Sequence, residues 1–334
     1  MFVCSFPNRR HLLFACVALA ATAFSLFGVP RLASADPVTL RVGHFPNITH
    51  VQALVAHGLS RQGRGWFEQR LGSDVKLEWF VYNAGPSAME AIFANAIDLT
   101  YVGPSPAINA YAKAGGEDIR VVAGSVEGGA ALVVQPDAGL RRPADFRGKK
   151  IGTPQLGNTQ DVAARAWLAT GGLKITLTGG DAQVIPTATP DQLSLFQRHE
   201  LDAVWTVEPW VSRLEMEANG KVLVEEKDAI TTVMVSSAKM LARQREIVHR
   251  FVAAHNELTE WVHKNPEEAQ AAVRAELIAE THTDVKPALV AHAWPRIVAT
   301  GEIAREPLEQ FVAKAKEAGF LRTLPDLSRL VERP

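Results

Sequence analysis

Residues 75–106 read VKLEWFVYNAGPSAMEAIFANAIDLTYVGPSP, and residues 183–209 read QVIPTATPDQLSLFQRHELDAVWTVEP. In the first stretch an apolar strand, Val75 to Tyr82, leads through Asn83-Ala84-Gly85 to Pro86, which opens a helix bearing Met89, Ile92 and Phe93. Asp98 lies twelve residues beyond Pro86 and is followed by a short apolar strand, Leu99 to Val102, and a helix entry at Pro104. In the second stretch the strand Gln183-Val184-Ile185 leads to Pro190, which opens a helix bearing Leu193 and Phe196. Asp202 again lies twelve residues beyond its proline and is followed by Ala203-Val204-Trp205 and Pro209. Proline costs nothing at a helix start, where the N–H it lacks has no intrahelical partner. One unit is therefore written twice.

The echo extends outward. Leu40-Arg41-Val42 reads as a strand ending at Gly43, and Thr49, six residues on, caps a helix with Val51, Leu54 and Val55 on one face. Lys150-Ile151 leads to Gly152, and Asn158, again six residues on, or Thr159 caps a helix with Val162, Ala163, Ala166 and Trp167 at helical spacing. Strand, turn, helix, strand, turn, helix, strand thus occurs twice. Alternating strands and helices with short connections predict parallel crossover units, and two sets predict an α/β fold of two lobes. Ligands bind beyond the carboxyl ends of strands in such sheets, so the two rims face each other across a cleft. Apolar strands around Gly128-Gly129 and at Thr232 to Val235 are suited to crossing between lobes as hinges. From Arg245 onward the pattern is helical, with Phe251, Leu258, Trp261 and Val262 apolar, and is expected to pack on the first lobe. The expected division is a signal at 1–35, lobe 1 at 36–127 with 235–334, and lobe 2 at 128–234.

Arg9 and Arg10, the apolar run from Leu12 to Val29 and the small-x-small box Ala33-Ser34-Ala35 have the order of a cleavable secretory signal, with cleavage expected after Ala35. The paired arginines also fit a twin-arginine signal. This predicts an exported, periplasmic protein. Cleavage removes three of 35 basic residues and no acid, leaving 32 basic against 36 acidic. Such scattered charge of both signs excludes a nucleic-acid partner. Both cysteines, Cys4 and Cys16, leave with the signal, so no disulfide, thiolate metal site or thiol nucleophile is expected. The histidines offer no His-x-x-x-His pair backed by a carboxylate, and no metal site or cofactor is expected, although His44 and His50 bracket one rim turn.

Four rim turns, Asn47 to His50, Gly85 to Ser87, Gly103 to Pro106 and Leu156 to Gln160, present helix N-termini with unpaired N–H groups and partial positive charge, which suits an anion. Thr49, Ser87, Ser105, Asn158, Thr159 and Gln160 add uncharged donors. His44, Phe45, Tyr101, Trp205 and Trp210 are aromatic candidates for an organic tail. Gly129 at the crossing is a candidate contact. Glu208 belongs with a ligand only if that ligand also carries an ammonium group.

Residues 44–50 (HFPNITH), 83–87 (NAGPS), 101–107 (YVGPSPA), 153–161 (TPQLGNTQD) and 208–210 (EPW) resemble the nitrate/sulfonate/taurine-type substrate-binding proteins of ABC importers. The resemblance covers about Val38 to Phe320. It implies a type II periplasmic-binding-protein fold, with the C-terminal helical segment on lobe 1. It further implies a monomer that closes on a small organic oxyanion and delivers it to a permease and its ATPase. An aliphatic sulfonate or taurine is expected first, then nitrate or bicarbonate. By matching motif it implies contacts at Asn47, Thr49, Ser105, Gln155, Asn158, Thr159 and Glu208. Two other classes share these residues: an enzyme on the same fold, desulfinase-like or resembling thiamine-pyrimidine synthase, and a ligand-sensing subunit.

Overall fold

The computed structural model describes residues 1–3, 36–303 and 305–334. The expected export signal therefore lies outside the described residues. Residues 37–334 form one compact unit.

The first half of that unit runs β1 (Val38–His44), α1 (Val51–Arg61), α2 (Trp66–Leu71), β2 (Val75–Val81), α3 (Gly85–Phe93), β3 (Leu99–Val102), α4 (Pro104–Lys113) and β4 (Ile119–Gly128). There follow β5 (Ala130–Val134), β6 (Lys150–Thr153), α5 (Thr159–Thr170), the two-residue strands β7 (Ile175–Thr176) and β8 (Gly179–Gly180), β9 (Gln183–Pro186), α6 (Thr189–Gln197), β10 (Ala203–Val207), α7 (Trp210–Ala218) and β11 (Lys221–Glu226). The chain ends with β12 (Ile230–Ser237), α8 (Ala238–Lys264), α9 (Pro266–Thr281), α10 (Pro287–Ala293), β13 (Ile297–Ala299) and α11 (Arg305–Glu317).

Two mixed sheets result. One has the order β13-β4-β12-β3-β1-β2 and the other β11-β5-β10-β6-β9. Within them β2-β1-β3 and β9-β6-β10 are parallel triplets of identical order. The paired aspartates explain the match. Asp98 accepts from the Arg41 backbone N–H at 2.9 Å and from the Arg41 guanidinium at 2.9 and 2.8 Å, while Asp202 accepts from the Lys150 backbone N–H at 2.8 Å and from Lys149 Nζ at 3.1 Å. Asp98 and Asp202 lie one residue before Leu99 and Ala203, and Arg41 and Lys150 lie one residue before Val42 and Ile151, the positions those residues pair with. The carboxylate thereby fixes the register at Val42↔Leu99 and Ile151↔Ala203.

Both faces of each sheet are covered, so the strands read as nearly continuous apolar runs. Along β5, Leu132 and Val134 enter the core shared with α5, and Ala131 and Val133 the core shared with α6 and α7. The first sheet packs α1, α2, α8, α9 and α10 on one side and α3, α4 and α11 on the other.

The chain crosses between the sheets at Gly128-Gly129, φ 74° and 76°, and returns through residues 227–229. Both glycines have left-handed backbones, and a Cβ on Gly128 would lie 2.3 Å from the Arg296 carbonyl. The two crossings are joined, because the Gly128 N–H donates to Ala229 O at 2.9 Å and Thr231 Oγ1 donates to Gly128 O. Strand β12 lies wholly in the first sheet, so its residues 230–234 sit with lobe 1 rather than lobe 2. The C-terminal helices are not confined to the first lobe either: α10 packs on α7, and α11 packs on both α4 and α5.

Candidate functional site

A small cavity of about 30 Å³ lies between the two rims. Its wall comes from the turn after β1 (Phe45, Asn47, Thr49, His50), the starts of α3 and α4 (Asn83 to Gly85, Gly103, Pro106), the start of α5 (Pro154, Asn158 to Gln160), the end of β10 (Val207) and Thr231-Thr232 of β12. Six sequence candidates, Phe45, Asn47, Thr49, Asn158, Thr159 and Gln160, thus share one wall. Thr231, Thr232 and His50 join them, and the sequence pattern assigned those three no ligand role.

Local chemistry sets the wall. Asn158 caps α5, its Oδ1 accepting from Asp161 N–H at 2.8 Å, while its Nδ2 donates to Gln160 Oε1 at 3.0 Å. Asp161 then takes Thr153 Oγ1 at 3.1 Å, Gly157 N–H at 2.9 Å and two Arg165 nitrogens at 3.1 Å each, so the rim strand, the turn and the helix start are one buried network. Thr49 does not cap a helix as expected. It lies buried in a 3₁₀ turn, Ile48–His50, with no side-chain cap bond. Its Cγ2 would be 2.9 Å from a Cβ on Gly129, so Gly129 makes room for the turn.

The rims touch. The Ile48 N–H donates to Glu208 O at 2.9 Å, Trp210 Nε1 donates to Asn47 Oδ1 at 3.3 Å, and Thr189 Oγ1 donates to Asn83 Oδ1 at 3.4 Å. A Cβ on Gly103 would lie 2.3 Å from Thr159 Oγ1.

No lysine, arginine or carboxylate stands among the lining residues. The one titratable side chain there, His50, is fully buried, and burial first and the nearby His44 second push its pKa well below the usual value, so it is neutral. Thr159 Oγ1 on one rim and Thr232 Oγ1 on the other are buried without a hydrogen-bond partner, as is Ser105 Oγ at the start of α4. Unpaired buried hydroxyls are costly unless something fills them. Apolar wall comes from Phe45, Ala84, Pro106, Pro154 and Val207.

The remaining candidates lie off this wall. Ser87 Oγ donates to Ala84 O at 2.8 Å within its own helix turn. Gln155 is half-buried beside Pro154, with Oε1 unpaired. Trp205 points into the second-lobe core, edge-on to Trp167, because alternate residues of β10 face opposite ways. Tyr101 is buried with its hydroxyl 3.0 Å from His255 Nδ1. Glu208 is fully buried and turned inward: it accepts from Ser212 N–H and Oγ at 3.1 and 2.8 Å and pairs with Arg296 Nη1 at 3.0 Å. Burial raises its pKa, against those hydrogen bonds and the arginine. Its carboxylate is spoken for by the helix start and Arg296, so it offers no partner for a ligand ammonium.

Among the described residues a second polar cluster gathers behind the β1 turn, where His44, His57 and Glu280 bring ligating atoms within 4.8 Å of one another. No His-x-x-x-His spacing reveals it, because its members come from β1, α1 and α9. No helix among the described residues is long and apolar enough to cross a membrane.

The NMT1-like family model matches residues 33–279. A protein named as a binding protein in Brucella abortus (strain 2308) is 26% identical over 257 residues, covering 75% of each chain. A protein named as aliphatic sulfonates-binding in Bacillus subtilis (strain 168) is 25% identical over 246 residues, 71% of this chain and 68% of its own. Among solved structures, the alkanesulfonate-binding protein SsuA from Xanthomonas axonopodis pv. citri, bound to MOPS, superposes with a TM-score of 0.72 at 21% identity, over 90% of this chain and all of that one. The fold is that of type II periplasmic binding proteins.

Proposed function

Because the chain belongs to the NMT1-like family, we propose that it is the solute-binding receptor of an ABC importer and captures an aliphatic sulfonate. The observation that carries this reading is the pair of buried, unpartnered hydroxyls, Thr159 Oγ1 and Thr232 Oγ1, on residues that line opposite rims of a cavity without charged lining residues. Hydroxyls and helix N-termini donate to oxyanion oxygens without a counter-charge, as helix dipoles do for phosphate and sulfate. The apolar arc from Phe45 to Val207 suits a short carbon tail, which favours an organic anion over nitrate or bicarbonate. The inward-turned Glu208 leaves a taurine ammonium without a partner, so sulfonates lacking an amine come first. The names of the relatives point the same way.

The receptor binds with its lobes apart, closes about the crossings at Gly128-Gly129 and residues 227–229, and presents the closed form to a membrane permease driven by an ATPase. The N-terminal signal pattern supports a periplasmic site for this cycle. A desulfinase-like enzyme would need a thiol nucleophile, and the chain's two cysteines, Cys4 and Cys16, both precede Ala35.

Thermal unfolding with ethanesulfonate, MOPS, taurine, nitrate and bicarbonate tests the reading. Ethanesulfonate should raise the melting temperature of the wild type, and the double variant Thr159→Val with Thr232→Val should lose that shift. A shift with nitrate and none with any sulfonate overturns the substrate.

A further inference from the structure

The cluster behind the cavity has a geometry that hydrogen bonding alone does not satisfy. His44 Nε2 lies 3.0 Å from His57 Nδ1, His57 Nδ1 lies 3.0 Å from Glu280 Oε1, and His44 Nε2 lies 3.0 Å from Glu280 Oε1. Three mutual hydrogen bonds would need a proton on each edge of this triangle, but each ring nitrogen carries at most one, directed along its own ring plane, and an ionised carboxylate brings none. At least one edge therefore carries no hydrogen bond and sets lone pair against lone pair or N–H against N–H. Glu280 Oε2 is in addition buried without a partner, on a side chain only 1% exposed.

A cation removes the conflict. The centre of an equilateral triangle of this edge is about 1.7 Å from each corner, so an ion about 1.1 Å above the plane sits roughly 2.0–2.1 Å from all three atoms, the bond length of zinc to imidazole and carboxylate. Glu276, one turn before Glu280 on α9, places Oε1 3.0 Å from His57 Nδ1 and adds a second carboxylate beside the site. Gly58 lets α9 come this close, since a Cβ there would already lie 3.3 Å from Glu276 Oε2. Glu280 in the site and Glu276 beside it together offset a divalent charge. Trp79 walls the site, stacked on His57 at 5.3 Å and edge-on to His44 at 5.4 Å, and Arg61 Nε holds Glu276 Oε1 at 2.8 Å from outside.

We propose that His44, His57 and Glu280 form a three-ligand site for a divalent transition metal of the zinc class, with Glu276 beside it. Two imidazole nitrogens and a carboxylate oxygen in a buried pocket, leaving one tetrahedral position, select zinc, cobalt or nickel over magnesium or calcium. The metal ties the end of β1 to α1 and α9. His44 directly precedes Phe45, so the bond braces the turn that carries Asn47, Thr49 and His50 into the cavity. The site is independent of which solute the cavity takes.

The test uses untagged full-length protein, stripped with dipicolinate and titrated with Co²⁺ while the visible d–d bands are followed, then with Zn²⁺ in competition. The wild type should bind one equivalent with the intense bands of tetrahedral cobalt, Zn²⁺ should displace it, and Zn²⁺ should raise the melting temperature. Glu280→Gln and His57→Gln should each weaken binding about 100-fold, while His249→Gln, on an exposed helix surface, should leave it unchanged. If His57→Gln does not unfold cooperatively without metal, the isosteric Glu280→Gln decides. Absence of stoichiometric binding by the wild type, or binding unchanged in Glu280→Gln, overturns the proposal.

Discussion

Replacing Gly103 with alanine adds one methyl group at the point where the rims meet. The backbone of Gly103, φ −66° and ψ 152°, accepts alanine without strain. Within its own lobe the change is neutral or gains about 0.4–1 kcal/mol from a less flexible unfolded chain. Across the cleft the outcome differs. The new Cβ would lie 2.3 Å from Thr159 Oγ1 and 3.3 Å from Thr159 Cβ, where ordinary contact begins at 3.4 Å. The rims must part by roughly 1 Å, or Thr159 must turn its hydroxyl out of the cavity, and either response removes an interaction with the ligand. Overpacking of this kind costs about 1–3 kcal/mol, which as a loss of affinity is about 5- to 150-fold. Calorimetric titration with ethanesulfonate reads the affinity, and small-angle scattering at saturating ligand reads the closure. Alanine at 103 should weaken binding and leave the liganded protein less compact, with the unliganded melting temperature unchanged or higher. Adding Thr159→Ala should restore compaction without restoring full affinity. An affinity within twofold of wild type in a well-folded Gly103→Ala protein would refute the claim that Gly103 and Thr159 close the cleft.

Asn158→Ala removes the cap of α5 as well as a cavity donor, so urea unfolding should show a loss of about 1 kcal/mol and titration a weaker ligand. Glu208→Gln leaves Arg296 with Glu215 at 2.9 Å and Glu225 at 3.5 Å, so it should cost about 1–3 kcal/mol in urea while the preference among ligands is unchanged; a changed preference would return Glu208 to the cavity. His255 is buried between the Tyr101 hydroxyl and Gly124 O, and burial lowers its pKa from 6.5 to about 4. The unfolded chain takes up this proton first, so the contribution is present above pH 6.5 and is lost as pH falls from 6.5 towards 4, at about 1.4 kcal/mol per pH unit. Glu276, pushed up to about 7 chiefly by burial, works in the opposite sense, so the difference between wild type and His255→Gln isolates the histidine. That difference should shrink by about 2 kcal/mol between pH 6.5 and pH 5, and a difference independent of pH would refute a neutral buried His255.

Much of the fold was legible because its signals are local and occur twice. The strand-turn-helix order, the proline helix starts, the Asn158 cap and the aspartates twelve residues beyond Pro86 and Pro190 all depend on neighbours in sequence, and the observed triplets β2-β1-β3 and β9-β6-β10 follow from them. The rim turns were legible for the same reason: a helix start exposes its N–H groups whatever lies opposite. What the tertiary structure decided is the direction and partner of each side chain. Pleat parity sends Trp205 into the core, and the irregular register at the start of β12 brings both Thr231 and Thr232 to the cavity. Glu208 finds Arg296 88 residues away, and His57 meets Glu280 at a separation of 223. No spacing rule spans such distances, because packing of α9 on α1 and the joined crossings at Gly128-Gly129, rather than any local propensity, bring those atoms together.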